Sequence, residues 1–228
     1  MPDFVFAPPP PVTVPVTDGR LFPVRRIFCV GRNYAAHARE MGNDPTREPP
    51  FFFTKPADAL VPAGQDTAYP SQTKNLHHEI ELVVAIGTGG REIGRAEALS
   101  HVFGYSIGID LTRRDLQDEA KSLRRPWDLS KGFDASAPIG AIVPASEIGH
   151  PAQGRIALSV NGQVRQDGDL ADQIWPVPDI IATLSRFVAL APGDLIFTGT
   201  PEGVGAIVTG DVLVGEIAGI GTLHTTIV

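Results

Sequence analysis

The sequence predicts an α+β fold that consists mostly of β-strands with a few short helices. Glycine (24 residues) and proline (21 residues) make up about a fifth of the 228 residues, against roughly 12% in ordinary proteins, so turns should be frequent and long helices few. The apolar runs have the length of strands, as in Leu82 to Ile86, and only three segments have the residue spacing of a helix. Hydrophobic residues form 43% of the chain, which is enough for a core.

The first 24 residues are predicted to form an extended Pro-rich arm, and residues 25–228 a single domain. Seven prolines lie between Met1 and Pro23, and proline neither donates a hydrogen bond to a sheet nor continues a helix. The arm would wrap around the body of the protein or around a second subunit. Beyond it, Ile27 to Val30 has the pattern of a short buried strand that ends at Gly31.

A short helix is predicted from Asn33 to Met41. Asn33 suits the N-cap position and Gly42 suits the C-terminal stop. The segment makes barely two turns, and isolated helices of fewer than ~12 residues are marginal in water. We therefore expect packing or a ligand to hold this helix, which makes it a candidate lid.

Strands are predicted for the next part of the chain. Short extended pieces alternate with turns from Pro49 to Pro70. From His77 to Ile86, polar and apolar residues alternate at first, and side chains two residues apart share a face of a strand. This places His77, Glu79 and Glu81 on one face, with an apolar face behind them.

A second strand, from Gly104 to Ile109, leads into Asp110 and then into a helix. Thr112 and Asp115 match a capping box, which predicts a helix of about 11 residues that ends before Pro126. Helical spacing gives this segment an apolar face and a polar face. The apolar face contains Leu116, Ala120 and Leu123. The polar face contains Arg114, Gln117 and Lys121.

The rest of the chain is predicted to be sheet with one further helix. A hairpin turn is indicated by an Asn-Gly pair between two strand patterns. These elements are the helix from Asp179 to Leu190, the turn at Asn161-Gly162, and strands at Ile156 to Val160, Leu195 to Thr198, Val212 to Ile217 and Leu223 to Val228.

Charge and composition exclude several classes of partner. The net charge of −7 disfavours nucleic acid, which favours a basic surface. No apolar run approaches the ~18–20 residues of a membrane helix, so no membrane partner is expected. Cys29 is the single cysteine and the first basic residue is Arg20, so neither an internal disulfide nor a secretory signal is expected. We expect a cytoplasmic protein.

Three carboxylates are candidates for a metal site. Glu79 and Glu81 share a predicted strand face, and Asp110 follows the next strand. Oxygen ligands select hard cations such as Mg²⁺, Mn²⁺ or Ca²⁺. A solvated strand face has the same alternation, so the spacing leaves both interpretations open.

Three further side chains could take part in catalysis. His37 and Glu40 lie at i and i+3, so the carboxylate can orient the imidazole as a general base; an ordinary exposed helix pair has the same spacing. Lys131, in a segment predicted to be too short for a helix, would supply a fixed positive charge or be a solvated loop lysine. The glycines from Gly199 to Gly205 lack the Lys-Ser/Thr ending of a phosphate-binding loop.

Taken together, the motifs resemble those of the fumarylacetoacetate hydrolase family. The resemblance extends from about Arg25 to the C-terminus. Six motifs occur in the family's order: Gly31-Arg-Asn-Tyr-x-x-His37-x-x-Glu40, Phe53-x-Lys55-Pro56, Asn75-Leu-His77-His-Glu79-x-Glu81-Leu, Gly104-Tyr-x-x-x-x-Asp110-x-Thr-x-Arg114-Asp-x-Gln117, Lys131-x-Phe-x-x-x-x-Pro138 and Gly199-Thr-Pro-x-Gly-Val-Gly205.

The resemblance implies a mixed β-roll or sandwich, a homodimer and a site for Mg²⁺ or Mn²⁺. By position, the metal ligands would be Glu79, Glu81 and Asp110. The pair that activates water on a lid helix would be His37 and Glu40. The residues around the pyruvoyl end of a substrate would be Lys131, Arg114, Gln117 and Thr200.

The implied activity is hydrolysis of a carbon–carbon bond in a small 2,4-diketo acid. Within the family the sequence is most similar to acylpyruvate hydrolases, in particular bacterial enzymes of gentisate degradation that cleave fumarylpyruvate to fumarate and pyruvate. Oxaloacetate decarboxylation or keto–enol isomerisation at the same metal site is the alternative, followed by metal binding without catalysis. A distal carboxylate of the acyl group would meet an arginine, for which the candidates are Arg32, Arg113, Arg124 and Arg125.

Overall fold

The computed structural model describes residues 4–40 and 49–228. The strands are β1 (Thr13–Pro15), β2 (Leu21–Pro23), β3 (Arg26–Gly31), β4 (Phe51–Lys55), β5 (Leu60–Pro62), β6 (Leu76–His78), β7 (Ile80–Ile86), β8 (Val102–Ile109), β9 (Thr112–Arg113), β10 (Ala137–Ile139), β11 (Val143–Pro144), β12 (Arg155–Val160), β13 (Gln163–Asp169), β14 (Asp194–Phe197), β15 (Gly205–Ile207), β16 (Val212–Ile217) and β17 (Gly221–Thr226). The α-helices are α1 (Ala35–Glu40), α2 (Arg114–Ser122), α3 (Asp128–Lys131), α4 (Ala145–Ile148) and α5 (Val177–Phe187).

The strands form one large curled sheet and three smaller ones. The large sheet has the order β4-β3-β14-β7-β8-β10-β5, with β11 paired to β8. The others are β13-β12-β16-β17, β15-β6-β9 and the hairpin β1-β2. This confirms the predicted fold class, a mostly β chain with few short helices. None of the helices in the described ranges is long and apolar enough to cross a membrane.

The centre of the large sheet is covered on both faces. Leu82 and Val84 of β7 belong to a hydrophobic cluster that includes the inner side chains of β12 and β16, whereas Val83 and Ala85 belong to a second cluster with β3 and β14. A strand that is buried on both sides has no reason to alternate, which explains its continuous apolar run. The predicted strand from His77 to Ile86 is therefore two strands, β6 and β7, which lie in different sheets and are separated at Glu79.

The Pro-rich segment contains a hairpin, which the prediction of an extended arm lacked. Strands β1 and β2 pair antiparallel, and Val14 and Phe22 pack into the second cluster. Gly19, in the turn, has φ +91°, a conformation that glycine adopts without steric cost. Pro15 and Pro23 lie at strand ends, where a two-stranded edge tolerates proline.

Helix α1 begins at Ala35, and the side chain of Asn33 does not cap it as predicted. The Asn33 amide donates instead to the carbonyls of Trp175 and Thr198, at 2.9 and 2.7 Å, and its Oδ1 accepts from the Trp175 N–H at 2.7 Å. These partners are distant in sequence, so local helix signals do not reveal them. The predicted helix end at Met41 and the stop at Gly42 lie outside the described residues.

The predicted capping box of α2 is also wrong. The helix has nine residues and Arg113 precedes it, while the Thr112 hydroxyl donates to the Asp110 carbonyl at 3.3 Å. Asp115 accepts hydrogen bonds from the Thr73 hydroxyl (2.6 Å) and the Lys74 N–H (2.9 Å). The carboxylate thus attaches the preceding loop to the helix.

The remaining helices follow the prediction in part. Lys131 is the last residue of the short helix α3, so the expected loop at this position is wrong. Helix α5, Val177–Phe187, starts two residues earlier than predicted, with Pro178 in its first turn, where proline is tolerated. The Asn161-Gly162 turn joins β12 and β13, as predicted, with both residues at positive φ.

Candidate active site

Three buried carboxylates meet where strands β7 and β8 come together. Antiparallel pairing places Ile80 opposite Ile109, so Asp110, directly after β8, lies beside Glu79, directly before β7. The Asp110 N–H donates to the Glu79 carbonyl at 2.8 Å. One carboxylate oxygen from each of Glu79, Glu81 and Asp110 lies within 4.8 Å of the other two. All three residues are at most 5% exposed, so they do not form a solvated strand face.

Three cationic side chains surround this carboxylate cluster. Lys131 Nζ donates to Glu79 Oε2 at 2.8 Å and to Asp110 Oδ2 at 2.6 Å. Lys55 Nζ lies 2.8 Å from Asp110 Oδ1, and Arg114 forms an ion pair with Glu79. Burial alone would lower the pKa of Lys131, but Asp110 and Glu79 outweigh it and raise this pKa to about 12. Lys131 is therefore a buried group whose positive charge these carboxylates favour, and not a solvated lysine.

The cluster suits a divalent cation. Asp110 Oδ1 is paired with Lys55 Nζ, which also donates to the carbonyls of Leu111 and Lys131. Burial raises the pKa of Glu81, and the like charges of Asp110 and Glu79 raise it further. A bound cation would relieve this repulsion. The ligand atoms are hard carboxylate oxygens, which Mg²⁺ and Mn²⁺ prefer.

The predicted pair on α1 is formed. His37 Nδ1 lies 3.2 Å from Glu40 Oε2, and because the carboxylate can only accept, the ring donates its Nδ1–H. Glu40 Oε1 accepts from the Gly203 N–H at 3.4 Å, which links α1 to the glycine-rich loop. His37 is 7% exposed, whereas the Glu40 side chain is 38% exposed. The imidazole is thus a buried group and not part of an exposed helix pair.

One cavity brings most of the predicted residues together. It is lined by seven of the nine: His37, Glu79, Asp110, Arg114, Gln117, Lys131 and Thr200. The other two lie beside it, since Glu40 holds the His37 ring and Glu81 Oε2 accepts from the Gly199 N–H at 2.7 Å. The same cavity is lined by Arg32, one of the four arginines that the sequence offered for a distal carboxylate. Phe53, Lys121 and Trp127 line it too, although the sequence gave them no role in the site.

Helix α2 presents its polar face to this cavity. Arg114 and Gln117 are buried, and Arg114 Nη1 donates to Gln117 Oε1 at 2.5 Å. Arg114 Nε also donates to His77 Nδ1 at 3.3 Å. Leu123, which was predicted to lie on an apolar packing face, is 50% exposed. The buried face of this helix is therefore the polar one, as a binding site requires.

Gln166 of β13 supports the site from behind and was missed by sequence reasoning. Its Nε2 donates to the Thr200 hydroxyl (2.8 Å) and to the Pro201 carbonyl (2.9 Å), and its Oε1 accepts from the Ile80 N–H at 3.0 Å. His78 Nδ1 lies 3.0 Å from the same oxygen. Gln166 thus joins the start of β7 to the glycine-rich loop. Lys55 was also left without a role, although it lies in one of the quoted motifs.

The chain belongs to the fumarylacetoacetate hydrolase family, because residues 26–228 match the family domain described as fumarylacetoacetate (FAA) hydrolase C-terminal. The crystal structure of fumarylpyruvate hydrolase from Pseudomonas aeruginosa in complex with Mn²⁺ and pyruvate is 55% identical, covers 99% of both chains and has a TM-score of 0.97. A fumarylpyruvate hydrolase from Ralstonia sp is 45% identical over 81% of this chain and 95% of the relative. The mitochondrial oxaloacetate tautomerase of Bos taurus is 43% identical over 86% of this chain and 88% of the relative.

Proposed function

We propose that this protein is a divalent-metal-dependent hydrolase that cleaves a carbon–carbon bond in acylpyruvates and converts fumarylpyruvate to fumarate and pyruvate. The observation that carries the proposal is the single cavity in which His37, oriented by Glu40, faces the buried carboxylate cluster. The two relatives named fumarylpyruvate hydrolase support it, one of them in complex with Mn²⁺ and pyruvate.

Glu79, Glu81 and Asp110 would hold Mg²⁺ or Mn²⁺. When bound, the ion supplies Lewis-acid stabilisation of the negative charge that develops on the pyruvate enolate as it leaves. Lys131, Lys55 and Arg114 already balance the three carboxylates, so a divalent cation would give the site a net positive charge. An anionic diketo acid would be attracted to such a site.

His37 is the proposed general base. Its Nδ1–H is donated to Glu40, which leaves the lone pair on Nε2 to take a proton from water. The water oxygen adds to the distal carbonyl carbon, and the tetrahedral adduct collapses with cleavage of the carbon–carbon bond. The electron pair of that bond passes to the pyruvate fragment as its enolate, which takes up a proton to give pyruvate. The other product is the carboxylate of the acyl group.

The remaining site residues are proposed to bind the pyruvoyl end. The Lys131 ammonium lies beside the carboxylate cluster, where it can stabilise developing enolate charge. Arg114 and Gln117, buried on the polar face of α2, and Thr200, held by Gln166, provide hydrogen-bond donors to a carboxylate and a ketone oxygen. Their placement around one cavity supports these proposed roles.

Keto–enol isomerisation or decarboxylation of oxaloacetate is the second candidate. The relative named oxaloacetate tautomerase favours it, and enolate chemistry at the carboxylate cluster requires no attacking water. A non-catalytic metal-binding protein is a weaker candidate, because such a protein has no use for the oriented His37–Glu40 pair. The hydrolase proposal differs from both in assigning to this pair the activation of water.

The test is a comparison of the two substrates in the same protein. The metal-free protein is prepared with EDTA, and pyruvate release from fumarylpyruvate and the loss of oxaloacetate are measured before and after addition of Mg²⁺ or Mn²⁺. We expect fumarylpyruvate cleavage to fall to background in EDTA and to be restored by either ion. Cleavage at full rate by protein free of metal would contradict the metal dependence. Turnover of oxaloacetate without cleavage of any acylpyruvate would favour the second candidate.

We further propose that the protein is a cytoplasmic homodimer that acts in gentisate degradation, with residues 1–24 as an arm and 25–228 as the catalytic domain. The motifs quoted above support the dimer and the pathway. The start of the family match at residue 26 supports the division. Sedimentation of the full chain and of a chain that starts at Arg25 would test both the dimer and the contribution of the arm.

A further inference from the structure

The cavity over the carboxylate cluster continues outward along an aromatic wall. Phe53 and Trp127 line both this inner cavity and an adjoining outer cavity. Their ring centroids lie 6.0 Å apart, and Phe51 packs edge-on against Trp127 at 5.2 Å. An apolar, aromatic wall beside a charged end suits the unsaturated middle of a substrate.

Two cationic side chains lie along this wall. The Arg32 guanidinium lies 5.4 Å from the centroid of the Phe51 ring, and Lys121 Nζ lies 5.6 Å from that of Trp127. Both line the inner cavity together with the predicted substrate-binding residues. They come from different elements, the loop before α1 and the last turn of α2, and the fold brings both to the inner cavity.

The charge of Lys121 is only weakly compensated by the described residues. Its ion-pair partner is Asp118, at 3.4 Å, and the Asp118 side chain is 61% exposed, so the pair is solvent-screened. Burial lowers the pKa of Lys121; Asp118 opposes this, and Arg114 and Arg32 add to the lowering. A carboxylate bound beside Lys121 would offset these like charges.

The other candidate arginines are less suited to meet a substrate. Arg113 donates to the Leu129 carbonyl at 3.2 Å and stacks on Phe133 at 4.4 Å. Neither Arg113 nor Arg124 is among the described residues that line the two cavities. Arg125 lines the outer cavity but is not among the residues that line the inner one, and its side chain is 66% exposed.

We propose that Lys121, together with Arg32, binds a terminal carboxylate on the acyl group and makes the protein selective for acylpyruvates that end in a carboxylate. The inference rests on the proposed function, since it extends the same substrate along the same cavity. The pyruvoyl end lies at the carboxylate cluster, the unsaturated chain lies along Phe53 and Trp127, and the far carboxylate reaches the two cations. Lys121 is thereby a specificity-determining residue.

The test uses substrates and ligands that differ at the far end. Fumarylpyruvate and acetylpyruvate are compared as substrates with saturating Mg²⁺. Titration calorimetry measures the binding of 2-oxoheptanedioate and 2-oxoheptanoate. The first ends in a carboxylate and the second in a methyl group, and neither has a bond that the enzyme could hydrolyse. We expect Lys121→Met to weaken binding of the dicarboxylate by about 10- to 100-fold, since a hydrogen bond to a charged group contributes ~1.5–3 kcal/mol. Binding of the monocarboxylate should change less than about twofold.

Matched variants complete the experiment. Lys121→Arg keeps the charge and should retain most of the preference for the dicarboxylate, and Arg124→Met removes a charge nearby and should leave it unchanged. Equal weakening of both ligands in Lys121→Met, or a wild type without preference, would overturn the inference. A Lys121-dependent preference in a protein that cleaves no acylpyruvate would support the inference and overturn the proposed hydrolysis. The binding measurement therefore separates the two failures.

Discussion

The two ends of the candidate site are built in different ways. The carboxylate cluster lies at the ends of strands of the large sheet, where Glu79, Glu81 and Asp110 are at most 5% exposed and Lys131 bridges two of them. The His37–Glu40 pair lies on a helix of six residues, and Glu40 attaches this helix to the glycine-rich loop by one hydrogen bond of 3.4 Å. One end is fixed by strand pairing, whereas the other lies on a short helix that, within the described part of the chain, is attached through contacts such as this one.

This difference separates metal binding from water activation. The sheet end is preorganised, because its geometry follows from the pairing of β7 with β8. A helix of six residues is not stable by itself, so the position of His37 is set by tertiary contacts such as those of Asn33. Substitutions at the helix end should therefore change hydrolysis and spare metal affinity, and substitutions at the sheet end should change both.

The largest effect is expected for His37→Ala. If His37 takes the proton from water, its loss should lower kcat/KM for fumarylpyruvate by ~10²–10⁴-fold, the usual contribution of general-base catalysis. Affinity for Mg²⁺ should change little, since His37 is outside the carboxylate cluster, and oxaloacetate decarboxylation, which needs no attacking water, should fall less. His224→Ala, at an exposed position of β17, serves as the control. Hydrolysis by His37→Ala at the wild-type rate would show that the assignment of the base is wrong.

The next effect is expected for Glu81→Gln. Loss of a residue that only supports a metal ligand typically weakens metal binding by ~10–100-fold. Loss of a carboxylate that binds the ion directly should weaken Mg²⁺ binding by at least as much. The fold should persist, because Glu81 repels two neighbouring carboxylates and its amide replacement fills the same space. Calorimetric titration with Mg²⁺ and a thermal unfolding curve measure the two quantities. A variant that binds Mg²⁺ as tightly as the wild type would contradict the ligand assignment, and an unfolded variant would indicate a structural role.

The sequence predicted the sheet end of the site better than its supports. Glu79, Glu81 and Asp110 could be grouped because the strand period and the adjacent strand are local patterns. Gln166 gave no signal, since it lies among polar residues of β13 and its partners are 34 to 88 residues away. Asn33 was misleading, because asparagine next to a helix pattern usually caps the helix. Its side chain here donates to two carbonyls that lie 142 and 165 positions further along the chain.

The fold shows the same division between local and distant causes. The hairpin at Asn161-Gly162 and strand β16, Val212–Ile217, follow from turn chemistry and alternation, and both were predicted as they occur. The break at Glu79 was not predicted. Both faces of β7 are buried by elements far away in sequence, and this tertiary environment leaves no local pattern to indicate which sheet a residue joins.

A smaller effect is expected for Asn33→Ala. Asn33 is fully buried, and its loss leaves the carbonyls of Trp175 and Thr198 without their hydrogen-bond donor. The cost in stability should be about 1–3 kcal/mol. Because these bonds hold the entry to α1, hydrolysis should also fall, by about tenfold, while affinity for Mg²⁺ is retained. Steady-state kinetics and Mg²⁺ titration of the folded variant measure this. A parallel loss of Mg²⁺ affinity would mean that the two ends are coupled.

The smallest effect is expected in amide exchange of the unmodified protein. If α1 is less firmly held than the sheet, its amides should exchange faster than those of the β12–β13 hairpin, and a ligand that fills the cavity lined by His37 should slow them. Oxalate resembles the carboxylate and ketone oxygens of the pyruvoyl end, so it is added with Mg²⁺, and exchange across residues 34–40 is followed by mass spectrometry. We expect a slowing of a few fold in this segment and no change in the hairpin. Equal exchange with and without oxalate would show that α1 is already as fixed as the sheet, and the contrast between the two ends would then lie in chemistry alone and not in mobility.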